Sequence, residues 1–175
     1  SLANTCVQPR RPKNDRFKKM LIGTNFFLEE NKGEQRMLGR IMALDVGTKT
    51  IGIAKSDPLG LFAQPVVTLA RKGVNKDVTR IMEIVEEHEI RSVVVGLPYE
   101  LDGTEERSAR LARQIGEAMA ARMGQEVYYV DERFSSVEAE RRLIEMDVSR
   151  ARRKTLIDQM AAMIILERHM SEHQP

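Results

Sequence analysis

The stretch from Arg40 to Asp57 constrains the fold most, because it predicts a β-hairpin. An apolar run of strand length ends in Asp45, a Gly-Thr-Lys-Thr turn follows, and a second apolar run leads to Asp57. Two such runs around a short glycine-containing turn are typical of paired antiparallel strands. A carboxylate at a strand end costs desolvation free energy unless a partner compensates it, and a metal ion is one such partner. Asp45 is therefore either a metal ligand or, like Asp57, a turn residue that bounds the hairpin, a role that aspartate favours.

The remainder of the chain predicts an α/β protein in which three strands precede alternating helices and strands. Pro65 places the third strand at a sheet edge or a bulge, and Asn75 or Asp77 is predicted to cap the first helix. This order predicts a mixed five-stranded sheet, with a three-strand antiparallel meander plus two parallel strands and helices on both faces. After the hairpin we predict a strand at 61–69, a helix around 78–85, a buried strand at 92–97, a helix ending at Gly124, a strand at 127–130, a helix from 135, and a last helix from about 152 to about 170.

Composition excludes several classes of protein. The 175 residues suit one domain, and a content of 42% hydrophobic and 31% charged residues is that of a globular protein rather than a disordered one. No apolar run approaches the roughly 20 residues of a membrane span. Cys6 is the only cysteine, so no internal disulfide can form, and we expect a reducing, cytoplasmic location. One cysteine and three scattered histidines give no zinc-type spacing, so a bound metal would be Mg²⁺ or Mn²⁺ held by carboxylates.

The net charge is distributed unevenly along the chain. Residues 1–36 carry eight Lys or Arg against four Asp or Glu, a balance of +4, so the net charge of +2 leaves −2 on residues 37–175. We predict that 1–36 is an extension, loosely ordered or added by cloning or by the choice of start site, that 37–171 is the folded domain, and that 172–175 is a tail. Any affinity of the domain for nucleic acid must come from local basic patches.

The last predicted helix carries one charge in apolar surroundings. In the segment TLIDQMAAMIIL, residues 155–166, Asp158 is the only charged residue. A helix that is apolar on nearly every side is buried, so Asp158 is expected near or inside the core, where it needs a partner. That partner is either Lys154, one turn earlier, or a site shared with other acids. The small Ala161 and Ala162 would let the helix lie close to the sheet.

Two more acids follow the strand at 127–130. Strand alternation points Asp131 and Glu132 in opposite directions, so one of them can face the same site as Asp45. Carboxylates that converge on one point repel one another unless a cation lies among them. A carboxylate cluster that binds one or two Mg²⁺ ions can hydrolyse phosphodiester bonds. The basic segment 150–154 is either a phosphate-binding patch beside that cluster or a solvated surface.

Four motifs in order resemble the YqgF family, whose members are described as RNase H-like pre-16S rRNA nucleases and as Holliday-junction-resolvase-like proteins. The motifs are LDVGTKTIGIAKSD at 44–57, VVVGLPYELDGT at 93–104, VDERFSS at 130–136 and RKTLIDQMAAMIIL at 153–166. The resemblance implies a ribonuclease H-like fold and a nuclease that depends on a divalent metal. The strand at 92–97 is followed by no acid before Glu100 and Asp102, so the number of metal ions, one or two, stays open.

Carried over by position, the resemblance implies that the catalytic and metal-binding acids are Asp45, Glu132 and Asp158. The supporting residues are Asp131, Arg133 and Lys154. The residues that we expect to contact nucleic acid are Gly47, Thr48, Lys49, Arg150, Arg152 and Arg153.

The leading hypothesis is a Mg²⁺- or Mn²⁺-dependent endonuclease that processes the 5′ end of pre-16S ribosomal RNA, with nucleic acid and ribosome-assembly intermediates as partners. The same chemistry on branched DNA, as in a Holliday-junction resolvase, is the near alternative. A non-catalytic RNA-binding assembly factor is an alternative of another class. An actin-like ATPase shares the D-x-G-T loop but needs a second Asp-Gly phosphate loop and a chain about twice as long. The oligomeric state cannot be predicted.

Overall fold

The computed structural model describes residues 39–98, 107–132 and 135–173. Predictions about residues 1–36, about the loop after Pro98 and about Arg133 lie outside the described residues. Within them the chain forms five strands and four helices. These elements are β1 (Arg40–Val46), β2 (Thr50–Ser56), β3 (Ala63–Ala70), α1 (Val74–Glu87), β4 (Ile90–Leu97), α2 (Arg107–Met123), β5 (Tyr128–Asp131), α3 (Ser135–Glu145) and α4 (Arg150–Glu172).

The sheet confirms the predicted mixed topology. Its strand order is β3-β2-β1-β4-β5, so β1 lies at the centre. The pairs β1–β2 and β2–β3 are antiparallel, whereas β4 runs parallel to β1 and β5 runs parallel to β4. A meander extended by two parallel strands that helices connect is the ribonuclease H-like arrangement, and the predicted fold class is thereby confirmed.

Pro65 meets both parts of its prediction. It lies on β3, which is an edge strand, and the register between β2 and β3 shifts opposite it, between Ile53 and Ala54. Proline has no backbone N–H to donate to a ladder, so an edge with a bulge is where a sheet tolerates it.

Helices cover both faces of the sheet, and strand alternation decides which residues face which helix. Met42 and Leu44 belong to the core that α1 and α2 cover. Ile41 and Ala43 belong to the core that α4 covers. Asp45 has the parity of Ile41 and Ala43, so it is on the α4 side of the central strand. α3 packs on the outer side of α4.

Two helix starts differ from the predicted ones. The N-cap of α1 is Gly73, without a side-chain cap, so the prediction that Asn75 or Asp77 caps the helix was wrong. Asp77 lies one turn inside and is fully buried, because its carboxylate binds the segment that leads into the helix. α4 begins at Arg150, two residues before the predicted start, so the whole basic segment lies in the first turn of the helix. No helix in the described part of the chain is long and apolar enough to cross a membrane.

Candidate active site

The candidate site is a notch on the α4 side of the sheet, centred on Asp45. In the register of the strands, Asp45 of β1 pairs with Gly52 of β2. On the other side, Leu44 pairs with Val95, so the next residue of β4 in line with Asp45 is Gly96. A glycine therefore flanks Asp45 on each side. The absence of two neighbouring side chains leaves room above the sheet for groups from other elements.

Gly52 lets α4 approach the sheet at Asp158. A Cβ atom at position 52 would overlap the backbone carbonyl of Asp158. Ala161 and Ala162, one turn later, are fully buried, as their predicted role requires. The close approach brings the charge of Asp158 near enough to raise the pKa of Asp45.

Glu132 enters the notch from the end of β5. Val130, two residues earlier, packs in the core that α4 covers, so alternation places Glu132 on that side. A Cβ atom at Gly96 would overlap the Glu132 carboxylate, and it would also press on Ile165 of α4. Of the two acids that the sequence left open, Glu132 is the one beside Asp45.

Asp45 and Glu132 are hydrogen-bonded to each other. Burial and, after it, the nearby charge of Asp158 raise the pKa of Asp45 to about 7, against a lowering by the hydrogen bond with Glu132. Burial also raises the pKa of Glu132 to about 8, helped by the charge of Asp45 and by the hydrogen bond to it. A carboxylate oxygen can only accept, so a hydrogen bond between two carboxyl groups requires that at least one of them is protonated. The repulsion between two desolvated like charges is relieved in that way.

Arg168 of α4 holds the end of β5, next to Glu132. Its Nη1 donates to the carbonyl of Asp131 at 2.9 Å, and its charge lowers the pKa of Glu132, against the rise that Asp131 causes. Its Nη2 donates to Glu138 of α3 at 3.3 Å. Arg142 of α3 joins the same network, because it binds Glu138 at 2.8 Å. The end of β5 is therefore tied to both α3 and α4.

Asp158 is half-buried rather than inside the core. Its predicted alternative, a salt bridge to Lys154, is not formed, and no ion pair of Asp158 occurs among the residues that the structure describes. Lys154 is exposed. The α4 carboxylate thus acts on Asp45 through its charge alone.

The donor set suits a hard divalent cation. Oxygen ligands from carboxylates are those that Mg²⁺ and Mn²⁺ prefer. One oxygen of Glu132, Oε2, is buried and has no hydrogen-bond partner within the described residues. In the described ranges, however, no three His, Cys, Asp or Glu side chains already form a group that could hold a metal ion. The site is therefore a hydrogen-bonded pair of acids with a third carboxylate nearby, rather than a preformed triad.

The residues predicted to contact nucleic acid lie in two places. In the β1–β2 turn, Thr48 and Lys49 are exposed, and Gly47 donates its N–H to the Thr50 carbonyl at 2.9 Å. The basic residues 150–154 form the first turn of α4. Three of them are exposed, whereas Arg153 is half-buried and donates to the Val148 carbonyl at 2.8 Å.

Asp57, which follows β2, is a turn residue, as predicted. Its carboxylate accepts the backbone N–H groups of Leu59, Leu61 and Phe62 at 3.2, 2.6 and 2.8 Å. The bond to Phe62 is the largest of the effects that lower its pKa.

The site residues that the sequence reasoning missed are Gly52, Gly96 and Arg168. An isolated glycine inside a strand often marks a place where another part of the protein approaches closely. Gly52 and Gly96 could therefore have been predicted from the sequence.

A model of the family described as RuvX: Holliday junction resolvase matches residues 39–172. A protein of Myxococcus xanthus (strain DK1622) named "Putative pre-16S rRNA nuclease" is 46% identical over 136 residues, which cover 78% of this chain and 90% of that protein. A protein of the same name from Clostridioides difficile (strain 630) is 46% identical over 132 residues, with 75% and 94% covered. Among solved structures, T. thermophilus RuvC in complex with Holliday junction substrate aligns with a TM-score of 0.48 and 16% identity, over 78% of this chain and 99% of that one.

The fold, the family model and the two sequence relatives together define a class, that of nucleases with a ribonuclease H-like fold. The chain belongs to the RuvX family, also called YqgF, which confirms the resemblance drawn from the four motifs.

Proposed function

We propose that this nuclease is a divalent-metal-dependent endonuclease in which Asp45, Glu132 and Asp158 are the catalytic and metal-binding residues. The observation that carries the proposal is the convergence of three acids on the notch, where Gly52 admits the Asp158 backbone and Gly96 admits the Glu132 carboxylate beside Asp45. A protein gains no stability from desolvating like charges together, so such a cluster is typical of a functional site. That the family's nucleases generally use divalent metal ions supports the same conclusion.

A divalent cation held by these carboxylates would activate a water molecule and stabilise the leaving oxygen of a phosphodiester. Both Asp45 and Glu132 would have to be deprotonated to act as ligands. Asp158, on a helix fixed against Gly52, then supplies the third carboxylate. Asp131 and Arg168 position the strand end that carries Glu132. Arg133, which follows it directly, keeps its predicted supporting role.

The nucleic acid would be bound on both sides of the acids. The β1–β2 turn begins two residues after Asp45, with Gly47, Thr48 and Lys49. The first turn of α4 ends four residues before Asp158, roughly 6 Å along a helix axis. Phosphates there would meet the positive side chains of Arg150, Arg152 and Lys154 at a helix N-terminus, which itself favours anions. Arg153 is expected to contribute through its charge and through the Val148 contact that holds this turn.

We propose pre-16S ribosomal RNA as the substrate, cleaved in processing of its 5′ end, because the sequence relatives carry that name. Ribosome-assembly intermediates would then be the partners, and the cytoplasm the place of action. Junction DNA is the second candidate, favoured by the description of the family model as a Holliday junction resolvase.

Matched cleavage assays test the activity and separate the substrates. End-labelled RNA that spans the 5′ region of a 16S precursor and a four-way DNA junction would be incubated with the protein in Mg²⁺ or in Mn²⁺. We expect cleavage of the RNA, little cleavage of the junction, and loss of both in Asp45→Asn. Preferential junction cleavage would favour the resolvase function. If neither nucleic acid is cut in either metal while both bind, the protein is a non-catalytic binding factor.

A further inference from the structure

The β1–β2 turn, which we place against the substrate, is held by the ion pair of Arg71 and Asp77. This pair is separate from the cluster of Asp45, Glu132 and Asp158. Asp77 of α1 is fully buried, and its Oδ2 accepts from Arg71 Nε at 3.2 Å. Its other oxygen accepts the backbone N–H of Lys72 at 2.8 Å. The Arg71 side chain is only 9% exposed, so the pair is desolvated on both sides.

Arg71 also binds the β1–β2 turn at two points. Its Nη1 donates to the carbonyl of Gly47 at 3.2 Å, and its backbone N–H donates to the carbonyl of Lys49 at 2.9 Å. Two of the turn's carbonyls are therefore engaged by one residue. Because Asp77 holds that residue in turn, the turn is coupled to the buried start of α1.

The fixed Gly47 carbonyl sets the direction of the next amide. In a trans peptide the C=O and the N–H point to opposite sides, and no peptide bond in the described chain is cis. Since the Gly47 carbonyl points to Arg71, the N–H of Thr48 points away from it. Thr48 is exposed, and its N–H has no acceptor among the described residues.

We propose that Arg71, held by Asp77, is a positioning residue that presents the Thr48 amide and the Lys49 side chain to a phosphate of the substrate. This inference rests on the proposed function, because it assumes that the turn contacts nucleic acid. Arg71 itself is covered by protein and does not reach the substrate. Its effect is therefore on binding, and neither the Asp45 site nor its affinity for metal depends on it.

The substitution that isolates this role is Arg71→Lys. The guanidinium contacts Asp77 and Gly47 through two different nitrogens, whereas the single ammonium of a lysine cannot reproduce both contacts. The lysine keeps a positive charge for the buried Asp77, so the fold is retained. Asp77→Asn is a second variant, which keeps the volume and weakens the hold on Arg71.

Arg40→Lys is the matched control. Arg40 also joins a carboxylate to a carbonyl, since Nη1 binds Glu89 at 3.1 Å and the His88 carbonyl at 3.2 Å. It does so at the other end of β1, away from the notch.

The experiment measures equilibrium binding of a fluorescent RNA hairpin and of a four-way DNA junction in EDTA, where no cleavage occurs, together with ¹⁵N-labelled spectra. For Arg71→Lys we expect affinity for whichever nucleic acid the wild type binds to fall about tenfold. The RNA-induced or junction-induced shift of the Thr48 amide should be lost as well, while Mn²⁺ affinity stays that of the wild type. Arg40→Lys should match the wild type in all three measurements.

Equal affinity of Arg71→Lys and Arg40→Lys, or a Thr48 amide that shifts in both, would overturn the positioning role and leave the nuclease proposal standing. A wild-type protein that binds neither nucleic acid would overturn both. If Arg71→Lys lowers Mn²⁺ affinity as much as nucleic-acid affinity, Arg71 supports the fold of the site in general, and the inference is wrong.

Discussion

The two ends of the β1–β2 hairpin each carry an aspartate, and their surroundings are opposite. Asp57, after β2, accepts three backbone N–H groups, and its pKa is lowered. Asp45, near the end of β1, is hydrogen-bonded to Glu132 and lies near the charge of Asp158, and its pKa is raised to about 7. Asp57 is satisfied by its own loop. Asp45 is satisfied only by a proton or, as we propose, by a cation, and this difference separates a structural carboxylate from a functional one.

Exchange of each aspartate for asparagine gives the largest expected contrast. Asp45→Asn should lower the cleavage rate by about a thousandfold or more, because it removes a proposed metal ligand. Glu132→Gln and Asp158→Asn should act alike, with little loss of stability. Asp57→Asn should leave the rate within about twofold and lower only the resistance to urea. Comparable rate losses in Asp45→Asn and Asp57→Asn would remove the basis of the comparison.

Gly52→Ala tests whether the notch requires a residue without a side chain at position 52. The added Cβ would meet the Asp158 backbone, which cannot move aside without shifting α4. We expect a loss of about 1–3 kcal/mol in the free energy of unfolding, measured in urea, and a large loss of activity.

Gly116→Ala of α2 is the control for that substitution. There the added Cβ would meet the ring and hydroxyl of Tyr129, a partly exposed side chain that can turn away. A small stability loss and normal activity are expected. Normal activity in Gly52→Ala would show that the close approach of α4 is not required.

The pH dependence of stability sharpens the same comparison. In the absence of metal, the folded protein holds protons on Asp45 and Glu132 that the unfolded chain releases near pH 4. The unfolded state therefore binds fewer protons between pH 4 and about 8, so the free energy of unfolding falls as the pH rises. The fall is at most about 1.4 kcal/mol per pH unit for each proton.

Urea unfolding at several pH values checks this slope. Asp45→Asn should flatten it, and Mn²⁺ should oppose it. Asp57 has the opposite shift, so Asp57→Asn should leave the fall between pH 5 and 8 unchanged. A wild-type stability that rises over this range would contradict the raised pKa values of Asp45 and Glu132.

The smallest expected effect belongs to the exposed turn. Lys49→Gln removes one positive charge beside the proposed phosphate position. Binding of the RNA hairpin should weaken, and the slope of log K against log salt should decrease by about one. Lys76→Gln, an exposed lysine of α1, is the control. Identical slopes for the two variants would place the turn outside the interface.

The sheet could be predicted well from the sequence because each strand is a short apolar run. The order of strands and helices along the chain is compatible with few sheet topologies. Asp45 could be singled out by its place at a strand end, and the choice of Glu132 over Asp131 needed the family motif. Asp77 was misassigned as a helix cap because acids near a helix start usually are caps. Asp77 lies on the same buried face of α1 as Val78 and Ile81. That position in the apolar pattern could have predicted that Asp77 is buried.

The remaining features depend on packing that no local pattern encodes. The proximity of Gly52 to the Asp158 backbone depends on how α4 lies across the sheet. The contact between Asp45 and Glu132 depends on the room above Gly96. Arg71 reaches Gly47 over 24 residues, and Arg168 reaches Asp131 over 37. Such distances along the chain are closed only by the tertiary fold.

Calorimetric titration of the metal-free protein with Mn²⁺ tests the central claim most directly. At pH 7 we predict binding accompanied by proton release, seen as a dependence of the heat on the ionisation enthalpy of the buffer. Binding should be lost in Asp45→Asn and Glu132→Gln and retained in Asp57→Asn. Unchanged Mn²⁺ affinity in Asp45→Asn, or no Mn²⁺ binding by the wild type, would contradict the account.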